Sequence, residues 1–312
     1  MHTILGAGGI IANSLAKELV NNNKQVRLVS RNPQLLPGTE IIAADVTDQG
    51  QTLRAVLHSS IVYLCVGLPY NYSIWRRSWP PIINNVIEAC KATGARLIFF
   101  DNVYMYGKVD GWMTEDTPYN PSSRKGDLRA RMATQIMSEV RKGNITASIA
   151  RAADFYGPMA DKTSIPNMLV FAKLAKKEKP QWLSNAKTKH SFTYTPDAAK
   201  AMYLLGQSED SWNQVWHLPT AANPLTGEEF IEKAAAEFNI KTSYFTIRPW
   251  MVAMGGIFDR TIAELYEMTY QQKFDYLFDS SKFEKAFNFI PTSYEKGIAE
   301  VAAHYKEKVF EK

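Results

Sequence analysis

The residues whose types and spacing could do chemistry begin at the first predicted strand. Thr3-Ile4-Leu5 runs into Gly6-Ala7-Gly8-Gly9, and Ile11, Leu15 and Leu19 then recur at helical spacing, with Ala12 and Ala16 on the adjoining face. Glycines without a Cβ let a turn take positive φ, and a helix N-terminus offers unpaired N–H groups and a positive dipole. Gly6, Ala7, Gly8, Gly9, Ile10 and Ile11 therefore suit a pyrophosphate. Their spacing is Gly6-x-x-Gly9-x-x-Ala12, whose last small residue permits close packing of helix on strand. A strand-to-helix turn that merely uses glycine is the plainer alternative.

The second predicted strand ends Val29-Ser30-Arg31-Asn32, with no acidic side chain where one would bond a ribose 2′-hydroxyl. Ser30 can donate a hydrogen bond, and the planar guanidinium of Arg31 pairs well with a 2′-phosphate. The expected cofactor is NADP(H), with NAD(H) as the second choice.

Short apolar strands alternate with amphipathic helices through the first half of the chain, the pattern of a parallel sheet covered on both faces. The spacing predicts strands at 3–5, 25–30, 41–44, 61–66, 97–100 and 145–150. Helices are predicted at 47–57, around Ile83, Val86, Ile87 and Cys90, and at 124–141, where Leu128, Met132, Ile136 and Val140 repeat every four residues. Between the fourth strand and the second of these helices, LPYNYSIWRRSWPP reads as an irregular insertion rich in aromatic residues and proline. After Tyr156-Gly157-Pro158 the alternation weakens. Helices are predicted near 165–177, 196–206, 226–238 and 293–305, and strands at 214–217 and 243–247. The expected fold is α/β: a doubly wound parallel Rossmann sheet over 1–157 and a smaller C-terminal α+β substrate lobe over 158–312, with segments near 190–220 returning to the Rossmann core. Trp250, Met251, Met254, Phe258, Tyr266, Met268, Tyr270 and Tyr276 are expected mainly to pack as core between helices.

With 312 residues, 46% of them hydrophobic, the chain can bury a substantial core, and its net charge of +5 is scattered. The cluster Lys173, Lys176, Lys177 and Lys179 reads as the solvated end of a helix, so nucleic-acid binding is not expected. No apolar run reaches the ~20 residues of a membrane span, and the glycine loop stands too near Met1 for a signal peptide. The expected compartment is the cytoplasm. Cys65 and Cys90 have no metal-like neighbours in sequence, so both are expected reduced and buried, with no metal site.

Taken together, the motifs resemble the extended short-chain dehydrogenase/reductase superfamily, in its NAD(P)-dependent epimerase/dehydratase group. The resemblance rests on the glycine loop, Ala44-Asp45-Val46, Cys65-Val66-Gly67, Val103-Tyr104-Met105-Tyr106-Gly107, Arg151-Ala152-Ala153-Asp154-Phe155-Tyr156-Gly157-Pro158 and Thr195-Pro196-Asp197-Ala198-Ala199. It implies that Asp45 and Val46 lie at the adenine, and that Cys65, Val66, Gly67, Arg129 and Ala152 complete the cofactor site. Members of this group usually carry a Ser or Thr five residues before the glycine of the Tyr-Gly pair, then Tyr-x-x-x-Lys on the next helix. Here those positions hold Asn102, Lys125 and Arg129. This resembles atypical members with a degenerate tetrad.

In the usual set the tyrosine relays a proton to or from a substrate oxygen while the lysine lowers its pKa and holds the nicotinamide ribose. Arg129 keeps the second role but, being permanently charged, cannot relay a proton. Asn102 can hydrogen-bond a carbonyl or hydroxyl. Lys125 has two readings: an amine acid/base, or one half of a two-cation clamp with Arg129. Tyr104 and Tyr106 are further candidates for the relay. Trp75, Arg76, Arg77, Tyr104, Arg151, His190 to Phe192 and Arg248 are candidates for facing a small polar or nucleotide-sugar-like substrate, and His217 reads as structural. The expected function is an oxidoreductase or isomerase with a non-standard relay, acting as a monomer or homodimer. The alternatives are an inactive NADP(H)-sensing regulator working through a protein partner, and a purely structural relative.

Overall fold

The computed structural model describes residues 1–241 and 243–310, which fold into two compact units. The first comprises Met1–Gly107, Tyr119–Ala152 and Ala198–Leu218. The second comprises Lys108–Pro118, Ala153–Asp197 and the described residues from Pro219 onward. The sequence suggests a division at 157 with segments near 190–220 returning to the first unit; the chain leaves that unit after Gly107, rejoins it at Tyr119, leaves again after Ala152 and returns over Ala198–Leu218. Thr242, Glu311 and Lys312, counted in the expected C-terminal lobe, lie outside the described residues.

The first unit is built on β1 (His2–Leu5), β2 (Val26–Ser30), β3 (Thr39–Ala43), β4 (Ile61–Leu64), β5 (Arg96–Asp101) and the strands Ala147–Arg151 and Val215–His217. Across the sheet the order is Val215–His217, Ala147–Arg151, β5, β4, β1, β2, β3, and every adjacent pair is parallel. β1 pairs with β2 on one side and β4 on the other, so the winding reverses there; ligands of such sheets bind outside the carboxyl ends at that switch point. The central strands are apolar on both faces because helices cover both. Ile4, Leu5, Val62, Leu64, Leu97 and Phe99 are fully buried.

Helices α1 (Ile10–Asn21), α2 (Gln49–Val56), α3 (Tyr72–Thr93) and α4 (Arg124–Arg141) lie between these strands, and Thr195–Gln207 precedes the edge strand. α4 spans the predicted range; Ser123 caps it by accepting a 3.0 Å bond from Gly126 N, and Leu128, Met132 and Ile136 face the core. α3 departs from expectation, because it absorbs most of the segment read as an irregular insertion and keeps Pro80 and Pro81 inside the helix. A proline inside a helix costs about 3 kcal/mol through its missing N–H and ring clash. Burial of Trp75, Trp79, Ile82, Ile83, Val86 and Ile87, each contributing about 1.5–3 kcal/mol, outweighs that cost.

The second unit is held by short strand pairs, among them Asp154–Tyr156 with Phe192–Tyr194 and Gln181–Leu183 with Phe245–Ile247, both parallel. Its core is aromatic, with Tyr156, Phe171, Trp182, Phe192, Phe230 and Tyr294 in one cluster. The methionine- and aromatic-rich stretch is not uniformly core. Met268 and Tyr276 are buried, but the helix Pro249–Phe258 buries only Val252 and leaves Trp250, Met254, Ile257 and Phe258 exposed. This helix packs on Arg260–Tyr266 through Gly256, where a Cβ would stand 2.8 Å from the Ala263 Cα. Gly255 likewise faces the Ile262 side chain, where a Cβ would lie 3.2 Å from Cγ2.

His2 stacks on Tyr63, its Nδ1 3.3 Å from the phenol oxygen, and burial together with nearby positive charge holds its pKa down to about 4. An unfolded histidine protonates near 6.5, so the unfolded state binds the extra proton between those values. Stability is therefore full above about pH 6.5 and falls as pH drops toward 4. Urea midpoints measured across this range should show the decline in the wild-type chain and a flatter profile in His2→Gln.

Candidate cofactor and active site

The glycine loop stands at the switch point, between the ends of β1 and β4. Gly6 has φ +99°, and a Cβ there would lie 2.6 Å from the Val66 Cα, so only glycine lets the two loops touch. Gly6 N and Ala7 N both donate to Val29 O, at 2.9 and 3.0 Å, which ties the loop to β2. Gly8 N donates to Asn13 Oδ1 at 3.2 Å. Gly9 is the N-cap of α1, and this helix start has neither a side-chain cap nor an acidic residue in its first turn. The N–H groups of Ile10 and Ile11 thus begin an uncapped helix, and a Cβ at Gly8 or at Gly67 would meet nothing within 4 Å. These residues fit the phosphates of a dinucleotide.

At the end of β2, Ser30 is half-buried and Arg31 exposed. Asp45 accepts bonds from Thr47 N and Thr47 Oγ1 at 2.9 and 2.7 Å. These bonds, with a smaller contribution from Arg31, hold its carboxyl below the usual range. Val46 is buried, and its carbonyl accepts from Asn85 Nδ2 at 3.1 Å, which fixes the 45–46 turn to α3. Cys65 and Cys90 are buried and reduced; burial pushes both thiols up to about 12. Neither is a nucleophile near neutral pH. Among the described residues, no group of three or more His, Cys, Asp or Glu side chains is placed to hold a metal ion.

A buried polar network lies at the carboxyl ends of β5 and Ala147–Arg151. Asp101 ends β5 and receives Arg129 Nη1 at 3.2 Å and Arg151 Nη2 at 3.6 Å. Arg151 also donates from Nη1 to Tyr106 Oη at 2.6 Å and from Nη2 to Tyr119 Oη at 2.8 Å. Tyr106 Oη is 2.7 Å from His217 Nε2. Burial pushes the Asp101 carboxyl up, and the two guanidiniums oppose that. Arg151, expected to face a substrate, is therefore enclosed in the core: it has no exposed surface and joins three strands. His217 is buried on the edge strand.

Asn102, Tyr104, Lys125, Arg129 and Trp75 are brought together in the first unit. Asn102 Oδ1 accepts from Tyr104 N at 3.1 Å. Lys125 is fully buried, its Nζ 4.6 Å above the centre of the Tyr70 ring. The Arg129 guanidinium lies over Trp79 at 4.4 Å and Trp75 at 5.0 Å. Trp75, expected beside a substrate, is buried; its Nε1 donates to Pro69 O at 3.0 Å, and its ring stacks on Tyr104 at 6.4 Å. His190 and Arg248 belong to the second unit. His190 is buried, stacked on Tyr276 at 4.3 Å, with Nε2 3.1 Å from Asp154 Oδ2. Arg248 is exposed at the start of Pro249–Phe258. Asp101 and Tyr70 are absent from the residues singled out by sequence. Asp101 looks like an ordinary strand end, and Tyr70 lies in the segment that had no spacing to read.

If Arg151 is structural, its loss must be costly whatever ligand is present. Arg151→Met should destabilise the chain by about 3–5 kcal/mol, because it strips cations and donors from buried acceptors. Tyr119→Phe should cost about 1 kcal/mol, the loss of one hydrogen bond. Urea denaturation of both variants checks the ordering.

Residues 2–217 match the NAD dependent epimerase/dehydratase family. An uncharacterized protein, y4nL, from Sinorhizobium fredii is 25% identical over 210 residues, which cover 64% of this chain and 57% of that protein. The chain thus matches little more than half the length of that relative. Among solved structures, a Thermotoga maritima UDP-glucose 4-epimerase with UDP-glucose aligns with a TM-score of 0.82 at 15% identity, over 99% of this chain and 100% of that one. A Thermus thermophilus UDP-glucose 4-epimerase complex with NAD gives 0.78 at 16% identity, over 98% and 99%. A Bacillus cereus UDP-glucuronic acid 4-epimerase in complex with NAD also gives 0.78 at 16%, over 99% of each chain. At these identities the likeness is one of fold. The sequence match, the seven-stranded parallel sheet and the open glycine loop at its switch point agree: the chain belongs to the NAD-dependent epimerase/dehydratase family.

Proposed function

We propose that the chain binds NADP(H) and acts as an oxidoreductase or isomerase on a small polar or nucleotide-sugar-like hydroxyl or carbonyl substrate. The observation that carries this reading is the uncapped start of α1 beneath a glycine loop that only glycine could place against the loop after β4. Gly6, Ala7, Gly8, Gly9, Ile10 and Ile11 hold the pyrophosphate, Asp45 and Val46 flank the adenine, and Cys65, Val66, Gly67 and Ala152 line the path toward the nicotinamide. The solved neighbours that contain NAD support a dinucleotide. The choice of NADP(H) rests on Ser30 and the exposed Arg31, whose guanidinium suits the 2′-phosphate.

When bound, the nicotinamide accepts or returns a hydride. The chain's own residues orient the substrate and handle the proton. Asn102, with its amide oxygen engaged by Tyr104 N, presents its NH2 as a donor to a substrate oxygen. Arg129 keeps a fixed positive charge beside the site, inside a wall of tryptophan rings that excludes water.

Two measurements test the reading. Arg31→Asp should weaken NADPH at least about tenfold and leave NADH nearly unchanged, as followed by nicotinamide fluorescence; equal losses for the two cofactors remove the NADP(H) assignment. A screen of nucleotide sugars and small carbonyl compounds for consumption of NADPH should find turnover. Tight NADPH binding with no turnover on any of them favours the sensing role instead.

A further inference from the structure

The usual relay of the resembled group is a tyrosine on the helix equivalent to α4, and here that position holds Lys125, so the start of α4 carries the cations Arg124, Lys125 and Arg129 and no phenol. The loop after β4 brings one back. Tyr70, half-buried, places its ring face under Lys125 Nζ, 4.6 Å from the ring centre, and meets Trp75 edge-on at 5.8 Å and 81°. Arg129 stands over that same Trp75, within electrostatic reach of the phenols of Tyr104 and Tyr70. The loop that carries Tyr70 begins at Val66, against Gly6, on the glycine-loop side of the switch point.

We propose that Tyr70 is the proton relay, a transposed partner to Lys125: the phenol comes from the loop after β4 and the cation from α4, reversing the usual origin of the phenol. The other two tyrosines fit less well. Tyr106 is fully buried, with its oxygen engaged by Arg151 and His217. Tyr104 lies parallel to Trp75, and its backbone is fixed by Asn102. The charged groups around Tyr70 include Lys125 and Arg129, both from α4, with Arg124 of the same helix over Tyr72; Asp101 sits behind Arg129 as its ion partner. A cation on the face of a phenol stabilises the phenolate more than the phenol.

In the oxidising direction the substrate O–H bond breaks and its proton passes to the Tyr70 phenolate oxygen. The oxidant would be the bound oxidised nicotinamide, which would take the electron pair of the carbinol C–H bond as hydride while the C=O bond forms. In the reducing direction Tyr70 returns the proton.

This inference rests on the reading that the chain turns over, so its test has one arm that needs no substrate. Phenolate absorbance is titrated in wild type, Tyr70→Phe and Lys125→Met. The wild type minus Tyr70→Phe difference should show one phenol titrating at least about one pH unit below the ~10 of free tyrosine, and Lys125→Met should move it back up. With a substrate found in the screen, Tyr70→Phe should lower kcat at least about 100-fold while NADPH affinity and Tm stay near wild type, since phenylalanine keeps the ring contacts. A Tyr70 phenol at or above 10, or Tyr70→Phe turnover within about twofold of wild type, overturns the proposal. If no substrate turns over, the titration alone decides it: a low phenol sustains the pair while the enzymatic reading falls separately.

Discussion

One carboxylate sets the polar interior of the first unit. Asp101 accepts from Arg129 and stands 3.6 Å from Arg151, so a single buried anion answers two buried guanidiniums. Such charges are expensive to desolvate and are tolerated only when paired and hydrogen-bonded, which makes the arrangement unforgiving of rearrangement. Through it the end of β5 is bound to α4, to Ala147–Arg151 and, by way of Tyr106 and His217, to the edge strand. The first turn of α4 inherits its position from this lock, and with it the position of Lys125.

Around the lock the sequence supplies aromatic rings rather than further carboxylates. Trp75 and Trp79 cover Arg129, Tyr70 lies under Lys125, and Arg124 lies over Tyr72 at 4.6 Å. Ring faces attract cations without neutralising them, so positive charge is kept at this end of the sheet. The division of labour is physical. Strands and α4 fix the cations, while the segment from Val66 to Trp79 contributes the rings.

Much of the sheet was legible because a doubly covered parallel strand must be apolar on both faces, and Ile61–Leu64 reads that way without help from any other feature. α4 was legible from a four-residue repeat whose buried members are Leu128, Met132 and Ile136. The start of α3 was not, because local rules treat Pro80-Pro81 as a breaker while the deciding energy comes from tryptophans buried against distant strands. The phosphate loop was readable for a similar reason in reverse: its chemistry is local backbone geometry. The lock was not. Arg151 reads as a substrate-facing cation until β5 and Ala147–Arg151 lie side by side and set it against Asp101, a register no single-segment pattern contains. The contact of Tyr70 with Lys125 is not legible either, because the ring comes from a loop far away in sequence.

The edge strand Val215–His217 carries a consequence for how the chain matures. His217 and the Tyr106 it bonds are 111 residues apart, and the intervening chain includes Ala153–Asp197 of the second unit. As the chain emerges from a ribosome, Ala147–Arg151 is complete well before the strand that will cover its open side. During that interval its free N–H and C=O groups form an unprotected edge beside a Tyr106 hydroxyl that His217 has yet to reach. Closure of the first unit is therefore a late, long-range event. Its high contact order predicts slow folding and makes the nascent chain, rather than the finished protein, the species most exposed to misassembly.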